Sequence, residues 1–344
     1  MLIEGIRETV LDTANRGEEL LSAIIGQEET KRRILACLLA GHHILIEGPP
    51  GVGKTTLAKH IAMSLSPIEV IKDCPYHCHP EAPVCPMCKT KLTEGGKLEV
   101  EQIAGERRFI RLQGSPDLTA EDLLGDIDPT QAFKYGPQDY RAFIPGKLLK
   151  GNRGVVFFDE LNRVPEKLQN ALLQVLEEGI ATIGPYDIDY PANFAMIATM
   201  NPKEHAGVEQ LSDVLLDRFD VVKMGYPESV EKEEEIIYRY GRRLDNAQVS
   251  PDVLRSIVNL VRATREEPWS KELDQGASVR AGLALYEKVQ AMCLLSGTNQ
   301  ASLADIRQVA TSSLGARIKP SPESKFYDDP LGLIDELAKD ICGK

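Results

Sequence analysis

The stretch Ile44-Leu-Ile-Glu-Gly-Pro-Pro-Gly-Val-Gly-Lys-Thr55 decides the fold of this chain. Its second part, Gly48 to Thr55, matches the pattern G-x-x-x-x-G-K-[ST] in full. The apolar run before the glycines predicts a buried strand over 44–47, and the spacing after them predicts a helix over 54–65. Glycine lets the main chain turn its N–H groups around phosphate oxygens, at the positive end of the following helix. The stretch therefore predicts a phosphate-binding loop.

This loop supplies the candidate nucleotide-binding residues. We expect Lys54 to pair with the β and γ phosphates of a nucleotide and the Thr55 hydroxyl to ligate Mg²⁺. The other candidates in the loop are Gly48, Pro49, Pro50, Gly51, Val52, Gly53 and Thr56.

Four further apolar runs predict buried strands, and helical periodicity lies between most of them. The strands are predicted at 109–112, 155–158, 194–199 and 221–224, and helices at 26–40, 166–178 and 208–217. Strands that alternate with helices need crossover connections, which build a parallel sheet covered on both faces. The sequence therefore predicts an α/β nucleotide-binding domain over 24–226, built around a five-stranded parallel sheet.

Helical patterns occupy the rest of the chain. A pattern at 5–22 predicts a helix within an N-terminal segment, 1–23. A separate all-α domain is predicted over 227–318, because four helical patterns follow one another there without a strand. These patterns cover 228–244, 250–267, 278–297 and 302–315. Residues 319–344 are predicted to form a linker and a terminal helix.

Length and charge exclude several classes of protein. A chain of 344 residues is long enough for about two domains with full cores, so it needs no disulfides to fold. Its 40 Lys and Arg against 52 Asp and Glu give a net charge of −12, which excludes a generally basic surface that coats nucleic acid. No apolar run approaches the roughly 20 residues that cross a bilayer, and the first residues lack the pattern of a signal peptide. We therefore expect a cytoplasmic protein without a membrane span.

Polar side chains follow two of the predicted strands. Asp159 and Glu160 end the run at 155–158, where the carboxyl end of a buried strand faces the crevice that holds phosphates. We expect Asp159 to hold Mg²⁺ and Glu160 to polarise the attacking water. Asn201 follows the strand at 194–199, and its amide could hydrogen-bond the γ-phosphate or the lytic water, although Asn-Pro alone indicates only a turn.

Four of the seven cysteines form two close pairs, which define a cysteine insertion at 72–101. Cys-x₃-Cys and Cys-x₂-Cys can surround one tetrahedral ion, and four thiolates leave no open position. We therefore expect a structural Zn²⁺ site with the ligands Cys74, Cys78, Cys85 and Cys88. His77 or His79 in place of one thiolate is the main variant, and free thiols, a redox pair or an iron–sulfur cluster are the other possibilities. Because the helix that begins at Lys54 leads away from the phosphates, this metal should lie at the opposite, amino-terminal edge of the sheet.

Taken together, these motifs resemble the AAA+ ATPases, and among them the group of MoxR proteins and magnesium-chelatase motor subunits. The resemblance covers roughly residues 20–315 and rests on four segments in the order of the group. These segments are Ile24-Ile25-Gly26-Gln27, Asp159-Glu160-Leu-Asn162-Arg163, Leu216-Asp217-Arg218-Phe219 and Gly276-Ala-Ser-Val-Arg280. The group usually has proline where Val279 stands, which concerns how the helix that carries Arg280 begins.

The resemblance implies a role for several single residues. Asn201 would be the first sensor of the nucleotide, Arg280 the second sensor from a helical lid, and Ile25 part of an adenine contact. Arg218 would be the arginine finger that reaches the γ-phosphate of a neighbouring subunit, and Arg163 would also face an adjacent protomer. Without the resemblance, a helix cap or a salt bridge would be the simpler interpretation of Arg218 and Arg280. The expected catalytic residues are Lys54, Glu160, Asn201, Arg218 and Arg280.

Two further segments have counterparts in the group. Residues 115–150 resemble its helix-2 insertion, which would project towards the axis or a partner of a ring. An ordinary surface excursion with its aromatic side chains on the core is the alternative. Residues 180–193 alternate around Gly184-Pro185 and predict a hairpin, which the group places before its first sensor.

The resemblance implies an Mg²⁺-dependent ATPase that assembles into a homo-oligomeric ring, hexameric in the group, and uses ATP to remodel a protein client. For MoxR-like chaperones such clients carry a von Willebrand factor A domain. A motor subunit of a metal chelatase is the close alternative. A nucleic-acid motor is disfavoured by the net charge of −12, and a nucleotide-gated scaffold without turnover is disfavoured by the presence of Lys54, Asp159 and Glu160.

Overall fold

The computed structural model describes residues 2–17, 19–137, 139–183, 188–201 and 211–343. The chain divides into two compact units. The first contains residues 1–24, 28–48 and 53–224, and the second contains residues 25–27, 49–52 and 225–344. The tip of the phosphate loop, 49–52, therefore belongs to the second unit.

The first unit alternates helices and strands along the chain. Its elements are α1 (Leu2–Asn15), α2 (Glu28–Ala40), β1 (His43–Glu47), α3 (Lys54–Ser64), β2 (Ile68–Ile71), α4 (Pro86–Thr93), β3 (Val100–Ile103), β4 (Phe109–Gln113), α5 (Ala120–Leu124), β5 (Gly125–Ile127), α6 (Pro129–Tyr135), β6 (Phe143–Pro145), α7 (Lys147–Lys150), β7 (Val155–Asp159), α8 (Glu166–Glu178), β8 (Ile180–Ile183), β9 (Ile188–Pro191), β10 (Ala195–Met200), α9 (Asp213–Leu216) and β11 (Phe219–Lys223). Among these described elements, no helix combines the length and the apolar character that crossing a bilayer requires.

Five strands of the first unit form a parallel sheet in the order β11-β1-β10-β7-β4. Consecutive residues of β1 and β7 are fully buried, which requires cover on both faces of the sheet. These residues are Ile44, Leu45 and Ile46 in β1, and Phe157 and Phe158 in β7. The predicted α/β fold with a five-stranded parallel sheet is confirmed, and each strand begins and ends within two residues of its prediction.

Three antiparallel pairs extend from this sheet. β2 pairs with β3 around the cysteine insertion and α4. β5 pairs with β6 around α6, within the segment 115–150. β8 pairs with β9, which confirms the hairpin predicted at 180–193; its turn at 184–187 lies outside the described residues.

Some predicted helices are longer than the observed ones. α1 ends at Asn15 and not at residue 22, because Gly17 has a φ of +67°, in the left-handed region that ends a helix. α9 covers only Asp213–Leu216 of the predicted 208–217, of which 208–210 lie outside the described residues.

The second unit is mainly helical. Its helices and strands are α10 (Val230–Tyr240), α11 (Pro251–Ala263), β12 (Leu273–Gln275), α12 (Val279–Leu295), α13 (Leu303–Leu314), β13 (Lys319–Pro320) and α14 (Pro330–Cys342). α10 and α11 end at Tyr240 and Ala263, short of the predicted residues 244 and 267.

The C-terminal segment is part of the core of the second unit. Leu333 and Leu337 of α14 are buried in one apolar cluster with Leu285 of α12. β13, at the start of the predicted linker, pairs with β12. The described residues of the segment 319–344, predicted as a linker and a terminal helix, therefore pack within this unit.

We predict that Leu337→Ala destabilises the second unit. The side chain is fully buried, and removing a buried leucine side chain costs about 2–5 kcal/mol of unfolding free energy. Leu331→Ala in the same helix is the matched control, because Leu331 is 55% exposed and its truncation should change stability by less than about 0.5 kcal/mol. Urea unfolding of both variants measures the difference, and equal effects would show that α14 is not packed as described.

Candidate functional site

The phosphate loop turns through two left-handed glycines. Gly51 has a φ of +77° and Gly53 a φ of +103°, a conformation that costs other residues about 1 kcal/mol or more. At position 48, a Cβ would lie 2.1 Å from the carbonyl oxygen of Met224, so only glycine fits there. α3 begins directly after the loop, at Lys54, and the N–H groups of its first turn have no partner within the helix. The local backbone therefore provides the main-chain donors and the positive helix end that bind phosphate.

The side chain of Lys54 folds back over this loop. Its Nζ donates to the carbonyl oxygen of Gly48 at 2.5 Å. Lys54 and Thr55 are half-buried and Thr56 is exposed, so none of the three is enclosed in the apolar core. A bound phosphate would offer the Lys54 ammonium anionic oxygens in place of a neutral carbonyl, which makes a stronger hydrogen bond.

Within the second unit, the loop tip lies against the start of α12. A Cβ at Gly51 would lie 2.6 Å from Ser278 Oγ and 3.3 Å from Arg280 Cγ. The structure therefore brings Arg280, the predicted second sensor, next to the tip of the phosphate loop. Val279 is the first residue of α12, so the helix begins there without the proline that the group usually has.

The segment 25–27 also belongs to the second unit, and hydrogen bonds fix its backbone. The Gln27 backbone N–H donates to Glu228 Oε1 at 2.8 Å, and Gln27 Nε2 donates to the carbonyl oxygen of Gly225 at 2.8 Å. Ile25 itself is buried, with 8% of its surface exposed. Its contact with adenine stays a prediction.

The residues predicted at strand ends share one edge of the sheet. β1 pairs with β10 up to Glu47 and Met200, and β7 runs parallel to β10 in the neighbouring position. The phosphate loop follows β1, Asn201 follows β10, and β7 ends in Asp159, with Glu160 next. Asp159 and Glu160 together are called the acidic pair. The structure therefore brings the loop, Asn201 and the acidic pair to the carboxyl edge of the sheet.

Asp159 has partners on both neighbouring strands. Its Oδ1 accepts a hydrogen bond from Thr199 Oγ1 of β10 at 2.8 Å. Its Oδ2 forms an ion pair with Arg111 Nη2 of β4 at 2.8 Å. A carboxylate and a threonine hydroxyl are oxygen donors of the kind that Mg²⁺ prefers, so Asp159 and Thr55 fit the predicted magnesium site in their chemistry.

The carboxylate of Glu160 also has two partners within the chain. Its Oε2 accepts from Gln113 Nε2 at 2.9 Å and forms an ion pair with Arg163 Nε at 3.3 Å. Arg163, predicted to face an adjacent protomer, thus contacts the acidic pair of its own chain.

Sequence reasoning missed Gln113, Arg111 and Thr199, although the first two stand at the carboxyl end of a predicted strand.

Arg218 lies at the opposite edge of the sheet. It precedes β11, whose first residue, Phe219, pairs with His43 at the start of β1. The five residues of β1 separate this end from the phosphate loop by about 16 Å, at roughly 3.3 Å per residue. Arg218 Nη2 forms an ion pair with Glu177 Oε2 at 2.9 Å. The structure therefore does not bring Arg218 to the phosphate loop of its own chain.

The four predicted zinc ligands form one buried cluster. All four Sγ atoms, those of Cys74, Cys78, Cys85 and Cys88, lie within 4.8 Å of one another. The Cys74 and Cys85 Sγ atoms are 3.8 Å apart, which equals the edge of a tetrahedron with a metal–sulfur distance of about 2.3 Å and far exceeds a disulfide bond. The neighbouring thiols, Cys74 first, hold the pKa of the Cys78 thiol below its usual range.

Backbone hydrogen bonds orient these sulfurs. The Cys85 N–H lies 3.5 Å from Cys78 Sγ, and the Cys88 N–H lies 3.4 Å from Cys85 Sγ at the start of α4. The two histidines have other partners: His77 Nδ1 is 3.1 Å from the carbonyl oxygen of Asn152, and His79 Nδ1 accepts from the Glu81 N–H at 3.2 Å. Among the described residues, the group that could hold a metal ion consists of the four cysteines and neither histidine.

One guanidinium contacts the cysteine insertion directly, and a second guanidinium supports the first. Arg153 Nη1 donates to the carbonyl oxygens of His77 and Glu69, at 2.9 and 3.1 Å. Arg108 Nη1 donates in turn to the carbonyl oxygen of Arg153 at 2.9 Å. In the described part of the chain, neither guanidinium is paired with a carboxylate. Both arginines precede strands of the sheet, so the insertion rests on the amino-terminal edge, as expected, away from the phosphate loop.

Three family models match successive parts of the chain. The model of the magnesium chelatase subunit ChlI matches residues 20–73, that of the ATPase family associated with various cellular activities matches 87–221, and that of the AAA lid domain matches 265–330. Three of the four clustered cysteines, Cys74, Cys78 and Cys85, lie in the gap between the first two matches. The part of the cysteine insertion that carries these three cysteines, 74–86, is therefore not covered by any of the three family models.

Curated and solved proteins are similar along most of the chain. Chaperone MoxR1 of Mycobacterium tuberculosis is 28% identical over 98% of this chain and 81% of that protein. Magnesium-chelatase subunit ChlI of Mesostigma viride is 26% identical over 92% of this chain and 94% of that protein. A structure of the complex between the BchI and BchD subunits of magnesium chelatase matches 88% of this chain and 96% of its own chain, with 24% identity and a TM-score of 0.49.

The matches agree with the geometry of the site. A ChlI model, an AAA model and a lid model follow one another in this order, and the phosphate loop, the acidic pair and Arg280 lie within them. The relatives extend the similarity to nearly the whole chain. The chain therefore belongs to the AAA+ ATPases and, among them, to the group of MoxR proteins and magnesium-chelatase ChlI subunits.

Proposed function

We propose that this AAA+ ATPase binds ATP with Mg²⁺ and hydrolyses it between copies of the chain in order to remodel a protein client. The observation that carries the proposal is the common sheet edge that holds the phosphate loop, the acidic pair and Asn201. The main-chain N–H groups of residues 48–56 and the Lys54 ammonium bind the phosphates. Arg280, next to the loop tip, adds a second cation for the terminal phosphate.

The acidic pair performs the second part of the chemistry. Thr55 and Asp159 hold Mg²⁺, which when bound neutralises charge on the phosphate oxygens. Glu160 accepts the proton of the attacking water, and the Asn201 amide orients that water or the γ-phosphate. Gln113 and Arg163 both contact Oε2 of the Glu160 carboxylate, and these two contacts orient the carboxylate for the water.

The position of Arg218 supports a homo-oligomeric ring. The residue lies about 16 Å from the phosphate edge of its own chain, over the five residues of β1. Arg218 can therefore stabilise a transferring phosphoryl group only at the site of a neighbouring copy. A ring supplies one such contact at every interface, and the hexamer of the group is the ring that we propose.

Similarity to MoxR1 supports the protein client. That relative, named a chaperone, aligns with 98% of this chain. By this likeness we propose a client that carries a von Willebrand factor A domain, in the cytoplasm, where free thiols such as the four clustered cysteines are stable. A chelatase motor is the second candidate, because ChlI of Mesostigma viride aligns with 92% of this chain. The net charge of −12 disfavours a nucleic-acid client.

We also propose that the four clustered cysteines bind one structural Zn²⁺. Their sulfur spacing fits a tetrahedral ion, and backbone N–H groups already point at two of the sulfurs. A zinc ion with four thiolates carries a net charge of −2, and the Arg153 guanidinium, which donates to the carbonyl oxygen of His77 next to Cys78, would balance part of that charge. Four protein ligands leave no place for a substrate, so this metal serves folding and not catalysis.

The first test is Glu160→Gln, which keeps the shape of the side chain and removes the base. We expect normal ATP binding in calorimetry and hydrolysis slower by about 10²-fold or more. Glu178→Gln, at the end of α8, is the matched control and should hydrolyse normally. Affinity capture with the Glu160→Gln protein and ATP should retain both the oligomer and its client. Wild-type turnover in Glu160→Gln, or no ATP affinity in the native chain, would refute the proposed hydrolysis.

The second test mixes two inactive proteins to examine Arg218. Arg218→Ala should slow hydrolysis by about 10³-fold or more if the guanidinium acts in catalysis. Mixed with Glu160→Gln, it should regain activity, because some interfaces then combine an intact Arg218 with an intact Glu160. Glu177→Ala removes only the partner of Arg218 within the chain and should stay active. If the mixture of the two variants recovers no ATPase activity, a role for Arg218 at a neighbouring site is contradicted.

The third test removes two sulfur ligands. Wild-type protein should contain about one zinc per chain by elemental analysis, and Cys85→Ala combined with Cys88→Ala should contain none. ATP affinity should persist, because the insertion lies at the sheet edge away from the phosphate loop. Cys293→Ala, a buried cysteine of the second unit, controls for the loss of a thiol. Loss of nucleotide binding in a still-folded double variant would contradict this placement.

A further inference from the structure

Glu160 occupies a backbone conformation that side chains avoid. Its φ of 55° and ψ of 53° lie in the left-handed region, directly after the last residue of β7. Such a conformation costs a residue with a Cβ about 1–3 kcal/mol and persists only where the surroundings enforce it. The left-handed turn therefore needs specific contacts that hold it.

One threonine hydroxyl provides the first of these contacts. Thr199 Oγ1 accepts a hydrogen bond from the backbone N–H of Glu160 at 2.9 Å and donates one to Asp159 Oδ1 at 2.8 Å. Thr199 lies in β10, the strand next to β7, and only 1% of its surface is exposed. A hydroxyl has one proton to donate, so its orientation is fixed by the two acidic residues together.

Gly114 provides a contact from the other neighbouring strand. Its N–H donates to the carbonyl oxygen of Asp159 at 2.7 Å. A Cβ at Gly114 would lie 2.0 Å from the carbonyl oxygen of Glu160, so the two backbones approach as closely as only glycine permits. The peptide of Glu160 is therefore held between Thr199 on one side and Gly114 on the other.

We propose that Thr199 is a positioning residue for ATP hydrolysis, whose buried hydroxyl holds the left-handed turn at Glu160 and orients the carboxylate of Asp159. The proposal rests on the hydrolytic function proposed above. Without the hydroxyl, the part-buried N–H of Glu160 loses its acceptor, and the turn relaxes towards conformations that side chains prefer. A displacement of about 1 Å at a catalytic group can cost about 10²-fold in rate.

The test compares Thr199→Val with Thr199→Ser. Valine keeps the branched shape and lacks the hydroxyl, whereas serine keeps the hydroxyl and lacks a methyl group. We expect Thr199→Val to lower kcat by about 10-fold to 100-fold, with little change in ATP affinity measured by calorimetry. Thr199→Ser should restore most of the turnover. Thr13→Val, which removes another buried hydroxyl in α1, should leave turnover unchanged.

A double variant separates positioning from general destabilisation. Since Thr199 acts largely through Glu160, Thr199→Val should slow the residual hydrolysis of Glu160→Gln much less than it slows the wild type. Equal slowing in both backgrounds, wild-type kcat in Thr199→Val, or a Thr199→Ser protein as slow as Thr199→Val would each overturn the proposal. If Glu160→Gln alone hydrolyses ATP normally, the proposed function fails as well; if only Thr199→Val is normal, that function stands and the positioning role is lost.

Discussion

The parallel register of β1, β10 and β7 is the constraint on which the rest of the structure depends. These strands run in one direction, so whatever follows each of them meets at one edge of the sheet. The phosphate loop, Asn201 and the acidic pair come together for this reason alone. Side chains alternate between faces, so a slip of one residue in β7 would turn Asp159 away from Thr199 and break their hydrogen bond.

The same register separates two tasks in space. The carboxyl edge of the sheet carries the groups that we propose to bind and cleave a nucleotide. The amino-terminal edge carries Arg218, Arg153, which contacts the cysteine insertion, and Arg108, which supports Arg153. An arginine at the amino-terminal edge is too far from the phosphate edge of its own chain, so the role proposed for Arg218 requires a neighbouring copy. Under the proposed function, a division of this kind would make hydrolysis depend on assembly without any additional regulatory element.

Sequence reasoning succeeded where the information lies in consecutive residues. The phosphate loop, its flanking strand and helix, and the acidic pair are all local patterns, and the structure has them where they were predicted. Thr199 and Gln113 were missed because their partner, Glu160, is 39 and 47 residues away and becomes a neighbour only through the strand order β10-β7-β4. Spacing along the chain indicates that strands exist, but it does not fix which strands pair. The helix predicted at 5–22 was too long for a local reason, because apolar periodicity alone does not reveal the left-handed turn at Gly17.

Charge explains how a small insertion can be held at the edge of the sheet. Burial lowers the pKa of Arg108 to about 10, which still leaves its guanidinium protonated at neutral pH. Its described partners are the carbonyl oxygens of Arg153 and Ser66, and a buried charge without a counter-charge is costly. Arg108 supports Arg153 in turn, the guanidinium of Arg153 donates to the carbonyl oxygen of His77 in the insertion, and the negative zinc–thiolate centre proposed here would offset positive charge at this edge. Metal and sheet edge would then stabilise each other, so losing the metal should weaken this edge and leave the phosphate loop intact.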